Sequence, residues 1–190
     1  MNNKRPRIDK VVTKTGDEGF THIIGGARKS KASEQVEAYG NVDEINSLLG
    51  IIIAQMVEKY QNEIELLKNI QNDLFVAGSD LASTQDLQVP RIKQQHIEKI
   101  EEAIKHYQIF LTPLQEFILP GGSQIGSMLH LARTIIRRTE RSIVKFSKTE
   151  SINPSLLIYF NRLSDLFFIL ARYINKIDNK TEDYCNFDKE

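Results

Sequence analysis

The sequence has few of the features that mark a secreted or membrane protein. Cys185 is the only cysteine among 190 residues, so an internal disulfide and a thiolate zinc cluster are both excluded. A lone thiol fits a reducing compartment, and we expect a cytoplasmic protein. The longest apolar run, Leu48 to Ala54, contains Gly50 and is too short to span a bilayer. The basic start of the chain is followed by no apolar segment, so we expect no secretory signal.

The chain also lacks net charge. Lys plus Arg and Asp plus Glu total 25 each, and the hydrophobic fraction of 41% is ordinary for a globular protein. Balanced charge gives no general attraction to nucleic acid or to an anionic membrane, so any anion must be bound by a local arrangement of residues. A length of 190 residues fits one domain with its own core.

Strand patterns and internal repeats are missing, and helical periodicity takes their place after residue 33. Apolar residues recur at three- and four-residue spacing in Glu34 to Tyr60, Asn62 to Thr84, Arg91 to Tyr107, Gln124 to Lys148 and Ser155 to Ile177. Ser123, and Asn153 followed by Pro154, are typical helix starts. The sequence predicts one all-α helical bundle over residues 34–177, with a glycine-rich arm at 1–33 and a polar, frayed tail at 178–190.

The fourth helical segment carries charged residues beside its apolar stripe. Arg133, Arg137 and Glu140 recur at i, i+4 and i+7 on one flank, whereas Arg138 and Arg141 lie on the solvent side. The flank is either a solvated rim with an intrahelical ion pair or part of a functional site.

Two further polar residues lie on helix faces that otherwise pack. Asp43 shares its face with small residues, so it is either exposed on a narrow face or a buried acid paired with an arginine, for which Arg133 is best placed. Asn161 interrupts an aromatic and aliphatic helix. It is either a hydrogen-bonding residue between helices or a ligand contact.

Glycine-rich segments lie in the arm and before the fourth helix. The run TKTGDEGFT at 13–21 joins glycines, whose neighbouring N–H groups can surround phosphate oxygens, to hydroxyls and a lysine. It is not a P-loop, because GxxxxGK[ST] is absent, and by itself it also fits a mobile surface loop. In FILPGGS at 117–123 the helix start can hold an anion, although ordinary capping explains the same residues. Phe117 by itself is expected in the core.

Five motifs in the same order resemble the ATP:cob(I)alamin adenosyltransferases of the propanediol-utilisation (PduO) type. They are TKTGDEGFT (13–21), VEAYGNVDEINSLLG (36–50), FILPGGS (117–123), HLARTIIRRTER (130–141) and NRLSDLFFILAR (161–172). The resemblance implies a five-helix up-and-down bundle, ferritin-like in kind, assembled as a homotrimer with a site at each subunit interface. It implies transfer of the 5′-deoxyadenosyl group of ATP, with Mg²⁺, to the cobalt of cob(I)alamin, giving adenosylcobalamin and inorganic triphosphate.

The resemblance also assigns site residues and partners. Asp43 and Arg133 match an ion pair across the interface, and Phe117 matches the aromatic residue that displaces the lower axial ligand of cobalamin. Nucleotide contacts are matched by Thr13, Lys14, Thr15, Gly16, Thr21, Lys31, Arg137, Arg138, Glu140, Arg141 and Asn161. The departures from the family pattern are Gln35, Asn41 and His22. The implied partners are ATP, a reduced corrinoid, a reductase and an adenosylcobalamin-dependent enzyme, with no nucleic acid, no membrane and no metal held by the protein.

Three rival interpretations fit a helical bundle. A di-metal carboxylate protein needs Glu-x-x-His pairs, and none of the four histidines has a glutamate three residues before it. A nucleic-acid-binding module would use the basic segment from Arg137 to Lys148, but the balanced charge and the scarcity of aromatic residues near it argue against this function. A nucleotide-binding chaperone that only delivers adenosylcobalamin is closest to the motifs.

Overall fold

Helices dominate the computed structural model, which describes Val12 and residues 14–187. The helices are α1 (Glu34–Gln55), α2 (Gln61–Leu81), α3 (Gln94–Gln108), α4 (Gln124–Phe146) and α5 (Pro154–Ile177), with a short 3-10 helix at Glu58–Tyr60. Two predicted helix starts are confirmed: the Ser123 side chain accepts a hydrogen bond from the Gly126 N–H, and the Asn153 side chain accepts one from the Ser155 N–H. The five helices confirm the predicted fold class.

Three predicted helix boundaries are wrong, and at two of them residues near the boundary bond to another segment of the chain. α1 ends at Gln55, since Met56 takes an extended conformation with ψ 139°. α2 ends at Leu81, where the next carbonyl, that of Ala82, accepts a hydrogen bond of 2.9 Å from the Ile24 N–H of the arm. α3 begins at Gln94 instead of Arg91, because Arg91 and Ile92 both bind the buried carboxylate of Asp80.

The arm contains a β-hairpin that the sequence did not predict. Strands β1 (Phe20–His22) and β2 (Arg28–Ser30) pair antiparallel, and Gly25 and Gly26 between them take positive φ values of 100° and 87°. Each strand has three residues, which is too short for an alternating pattern to be recognised. Ile23 is buried and fixes the hairpin to the bundle.

α5 contributes more buried residues to the bundle than any other helix. α1 packs against α2 and α4, and α5 packs against α4 and α3. Among the described residues, α5 is the one helix long and apolar enough to cross a membrane, a property that the sequence reading assigned to no segment. Half of that apolar window is buried inside the bundle, including Tyr159, Phe160 and Phe167, so the apolar composition is that of a core helix.

The apolar face of α4 is buried as predicted, and two polar residues of the helix are buried as well. Its apolar stripe is buried at Ile125, Leu129, Ala132, Ile136, Ile143 and Phe146. Arg138 and Arg141 are exposed, and Arg133 and Glu140 are half-buried on the flank, whereas Arg137, the third residue predicted for the flank, is exposed. His130 and Thr139 are also buried, which the sequence reading missed. The flank of α4 is therefore neither core nor fully solvated.

The tail is ordered where the structure describes it, so the prediction of a frayed end is wrong for residues 178–187. The Leu119 N–H donates to the Asp183 carbonyl at 2.7 Å, and the Cys185 N–H donates to the Phe117 carbonyl at 2.8 Å. A polar composition led to the wrong prediction because these bonds use main-chain groups, which any sequence provides.

Candidate active site

A cavity of about 560 Å³ lies between α4, α5 and the segment before α4. Its lining residues are Leu114, Gln115, Glu116, Phe117, Ile118, Arg133, Arg137, Ser164, Asp165 and Phe168. The fold thus brings Phe117, Arg133 and Arg137 together from two separate motifs. A cavity with aromatic walls and a few polar groups is typical of a site for a ligand with a large apolar body.

Arg133 brings a buried, unpaired donor to this cavity. Its buried Nε has no hydrogen-bond partner among the described residues, and its guanidinium carbon lies 5.8 Å from the centre of the Phe168 ring. Burial lowers the pKa of the Arg133 guanidinium, and the positive charge of Arg137 lowers it further. A buried donor without an acceptor is costly, so the site favours an acceptor from outside the chain.

Phe117 lies at the mouth of the cavity and not in the core. Its side chain is 76% exposed, so the prediction of a core residue is wrong. The segment around it runs over the surface and pairs its main chain with the tail, which leaves the ring free of neighbours on most sides. An exposed aromatic ring beside a cavity is a surface that a ligand can cover.

Asp43 lies in a different groove. This groove of about 330 Å³ runs between α1 and α2 and is lined by apolar residues such as Val42, Leu74 and Phe75, together with Ile24 of the arm. Asp43 is exposed, so the alternative of an acid buried within the chain is wrong. Its pairing with Arg133 across a subunit interface stays a prediction.

Glu140 and Asn161 join α4 to α5. The Asn161 Nδ2 donates to the Glu140 Oε1 at 3.3 Å, and the Asn161 Oδ1 accepts from the Arg162 Nη1 at 2.9 Å. Both Glu140 and Asn161 are half-buried. Asn161 is thus a hydrogen-bonding residue between helices, and its contact with a nucleotide stays a prediction.

Arg138 and Arg141 face away from the Arg133 cavity. They line a separate surface cavity of about 430 Å³ together with α1 residues. Arg138 forms an ion pair with Glu44, and the Arg141 Nη1 donates to the Arg137 carbonyl at 3.1 Å. Their predicted nucleotide contacts therefore require a ligand that reaches this outer side of α4.

The arm forms its own cluster of predicted nucleotide residues. Lys14 and Thr15 are exposed and line a shallow cavity of about 490 Å³, and Thr21 lies in β1. A Cβ on Gly16 would lie 2.9 Å from the Lys31 Nζ, so glycine permits the close approach of that ammonium group. Thr13 lies outside the described residues.

The arm is tied to the rest of the chain near the end of α4. The Lys29 Nζ lies 2.6 Å from the Glu150 Oε1. None of the described arm residues lines the Arg133 cavity of the same chain. The predicted site residues therefore lie on four surfaces of one chain, which are the Arg133 cavity, the Asp43 groove, the arm and the outer side of α4, with Glu140 and Asn161 between α4 and α5.

Several residues around the cavity were missed by the sequence reading. Leu114 to Glu116 have no periodic pattern that would have indicated their position. His130 is 2% exposed, and neither ring nitrogen has a partner among the described residues. Burial lowers the pKa of His130 to about 4, and the charge of Arg133 adds to the lowering, while Glu182 opposes it. The imidazole is therefore neutral at pH 7, and only its apolar neighbours on the helical wheel indicated burial.

Comparisons with known proteins agree with this geometry. The sequence profile of the family described as "Cobalamin adenosyltransferase" matches residues 11–174. The corrinoid adenosyltransferase of Bacillus subtilis is 42% identical over 168 residues, which cover 87% of this chain and 86% of that protein. The human corrinoid adenosyltransferase MMAB is 38% identical over 177 residues, covering 90% of this chain and 71% of that protein.

Solved structures give the same result. One is a variant of the PduO-type ATP:corrinoid adenosyltransferase from Lactobacillus reuteri complexed with cobalamin and ATP. It has a TM-score of 0.89 at 41% identity and covers 93% of this chain and 99% of that chain. A second variant of that enzyme, complexed with ATP, has a TM-score of 0.88 at 41% identity and covers 93% and 100%. The matched profile spans most of the chain, and the chain belongs to the cobalamin adenosyltransferase family.

Proposed function

We propose that the Arg133 cavity is the corrinoid side of an adenosyltransferase site, at which the 5′-deoxyadenosyl group of ATP is transferred to the cobalt of cob(I)alamin. The observation that carries the proposal is the convergence of Phe117, Arg133 and Arg137 on one cavity with apolar walls. Family membership and solved relatives with cobalamin and ATP bound support the same activity.

The reaction requires positioning more than acid–base chemistry. The electron pair of Co(I) forms the new bond to C5′, the bond from C5′ to oxygen breaks, and inorganic triphosphate leaves with that electron pair. No proton is transferred, so no histidine is required as a general base. Cob(I)alamin is itself the nucleophile, and holding it in line with C5′ contributes up to about 7–11 kcal/mol of the barrier reduction. The protein supplies geometry and electrostatics.

The complete site is proposed to form between two subunits of a homotrimer. Asp43 is exposed in one groove, and Arg133 carries an unpaired donor in another cavity of the same chain. Asp43 of the partner subunit would give that guanidinium an acceptor and remove the cost of its burial. A cyclic arrangement of three chains repeats this contact at each interface.

The arm and the outer part of α4 are proposed to hold the triphosphate. Lys14 and Lys31 provide positive charge beside a glycine-containing turn, and Arg137 extends that charge to the cavity. Such groups stabilise the charge that develops on a leaving triphosphate. Among the described residues, no three His, Cys, Asp or Glu side chains are grouped to hold a metal ion, so we propose that Mg²⁺ arrives with ATP, bound by phosphate oxygens and water.

Phe117 is proposed to prepare the corrinoid for reduction. Co(II) is difficult to reduce while a base occupies its lower axial position. An exposed ring at the cavity mouth is placed to take the position of that base and to keep water away. We propose that a reductase then supplies the electron in the cytoplasm and that an adenosylcobalamin-dependent enzyme receives the product.

The test is spectral. The purified protein is mixed with chemically reduced cobalamin and MgATP, and we expect the light-sensitive adenosylcobalamin spectrum together with free triphosphate. Arg137→Ala should slow the reaction, whereas Lys148→Ala, which removes an equal charge beyond the end of α4, should not. ATP and corrinoid binding without triphosphate release would contradict the proposal and favour a delivery chaperone.

A further inference from the structure

The tail and the segment that carries Phe117 are joined by one antiparallel β-bridge between Ile118 and Tyr184, a ladder of two main-chain hydrogen bonds. After α5 the chain turns at Asn179, which has a φ of 51°, and runs antiparallel to residues 117–119. The Cys185 N–H donates to the Phe117 carbonyl at 2.8 Å, and the Leu119 N–H donates to the Asp183 carbonyl at 2.7 Å. The tail therefore fixes the backbone on both sides of Ile118.

This backbone ladder is what orients Phe117. The side chain of Phe117 is 76% exposed, so packing against the bundle restrains it little. Its nearest aromatic neighbour among the described residues is Phe187 of the tail, with ring centres 6.3 Å apart. Since an exposed side chain follows the backbone that bears it, the position of the ring depends on the tail.

A buried ion pair holds the tail in place. The Arg172 Nε lies 2.7 Å from the Glu182 Oε1, and the Arg172 Nη2 lies 3.0 Å from the Glu182 Oε2, which is a bidentate pair. The same Nη2 donates to the Thr112 carbonyl at 3.0 Å, at the other end of the Phe117-bearing segment. Arg172 is 8% exposed, so solvent screens this contact poorly. One guanidinium of α5 thus joins the tail to the segment.

The Phe117-bearing segment is also fixed where it enters α4. The Asn175 Oδ1 accepts a hydrogen bond of 2.9 Å from the Ser123 N–H, and the Asn175 Nδ2 donates to the Gly121 carbonyl at 2.9 Å. A Cβ on Gly126 would lie 2.0 Å from the Asn175 Oδ1, so glycine is required for this contact. The ends of the segment are therefore held by α5 itself, and only its centre, at Phe117, depends on the tail.

We infer that the Arg172–Glu182 ion pair is a latch that positions Phe117 for the displacement of the lower axial ligand. Both are positioning residues, because they act through the tail and the backbone of residues 117–119. The inference rests on the proposed role of Phe117. It predicts that loss of the latch impairs the formation of the reducible Co(II) state and leaves the transfer from Co(I) nearly unchanged.

The experiment compares Glu182→Ala with Asp183→Ala in the full-length protein. Asp183 is the adjacent acid, its side chain is exposed, and its contribution to the ladder is a main-chain carbonyl that the substitution keeps. Two rates are measured with MgATP, one starting from Co(II) with a reductant and one from chemically reduced Co(I). The spectrum of bound Co(II) corrinoid reports the fraction that lacks a lower axial ligand.

Glu182→Ala should lower the rate from Co(II), and the fraction lacking the lower ligand, by about tenfold, since hydrogen bonds to a charged group shift an equilibrium by about that factor. The rate from Co(I) should change by less than about twofold, and Asp183→Ala should match the wild type. Glu182→Gln keeps the shape and one acceptor of Glu182, so its rate from Co(II) should lie between those of Glu182→Ala and the wild type. Equal losses in both rates, or an equal effect of Asp183→Ala, would overturn the latch.

A double variant separates this inference from the role of Phe117. If the latch acts through the ring, Glu182→Ala should cause no further loss in the rate from Co(II) when Phe117→Ala is already present. Additive losses would refute the latch while the role of Phe117 stands. If Phe117→Ala alone has no selective effect on the rate from Co(II), the proposed role of Phe117 fails and the latch fails with it.

Discussion

The proposed two-subunit site can be tested by mixing two inactive variants. Asp43→Ala removes the acid of the α1–α2 groove, and Arg133→Ala removes the guanidinium of the cavity. Removing one partner of a desolvated charge pair costs about 2–5 kcal/mol. That corresponds to about a 30-fold loss of activity or more, so each variant alone should be nearly inactive.

A mixed trimer restores a defined share of sites. In the proposed cyclic trimer, each interface combines Asp43 of one chain with Arg133 of the next. In a trimer that contains two chains of one variant and one of the other, a single interface receives both wild-type residues, so about one third of the wild-type activity should return. The fraction is set by symmetry and does not depend on the size of the individual losses.

The assay uses two purification tags. The variants are co-expressed with different tags, trimers that carry both tags are isolated, and adenosylcobalamin formation from Co(I) is measured. As a control, Arg133→Ala is combined with Arg133→Gln, a pair that has no cation at position 133 in either chain and can therefore restore no interface. Recovery no greater than in this control would refute the reasoning that the site combines residues from two chains.

Other predictions concern the lower ligand, the buried histidine and the fold. Phe117→Ala should reduce the rate from Co(II) far more than the rate from chemically reduced Co(I), and equal losses would remove Phe117 from its proposed role. Because burial lowers the pKa of His130 from 6.5 to about 4, stability should be fully present above pH 6.5 and fall towards pH 4, by at most roughly 3 kcal/mol. His130→Phe should flatten this dependence in urea unfolding without a matching loss of activity; an unchanged slope would contradict the assignment. The Asp80 carboxylate accepts bonds from Arg91, the Ile92 N–H and Asn153, so Asp80→Ala should cost about 3–5 kcal/mol in urea unfolding. Asp86→Ala, in the exposed loop after α2, should shift the urea midpoint far less, and an equal shift would count against the contacts of Asp80.

The helices were predictable because their signals are local. Apolar spacing indicated all five, and a side-chain oxygen before a helical segment identified the starts of α4 and α5. The arm hairpin was not predicted, since its pairing depends on bonds between residues 20–22 and 28–30 rather than on a pattern within either strand. The end of α2 and the start of α3 differ from the prediction because of tertiary contacts. Ile24 of the arm, which is remote in sequence, bonds to the end of α2, and the buried Asp80 binds the residues before α3.

For the candidate site, the sequence predicted which residues are involved better than it predicted where they lie. Motif resemblance selected Phe117, Arg133 and Arg137, and folding brings these three to one cavity. It also selected Asp43 and the arm residues, which line other surfaces of the chain. Residues 114–116 were missed because a loop has no period by which its direction can be inferred.

The amino-acid sequence determined the family, the helical class and the identity of the charged residues on the flank of α4, because motifs and periodicity are properties of neighbouring positions. Only the tertiary structure decided that Phe117 is exposed, that Asp43 lies at the surface, and that the polar tail is tied to α5 through Arg172 and Glu182. Burial and pairing depend on which remote segments meet. Main-chain hydrogen bonds such as those between residues 117–119 and the tail can form with almost any side chains, so the sequence does not indicate them.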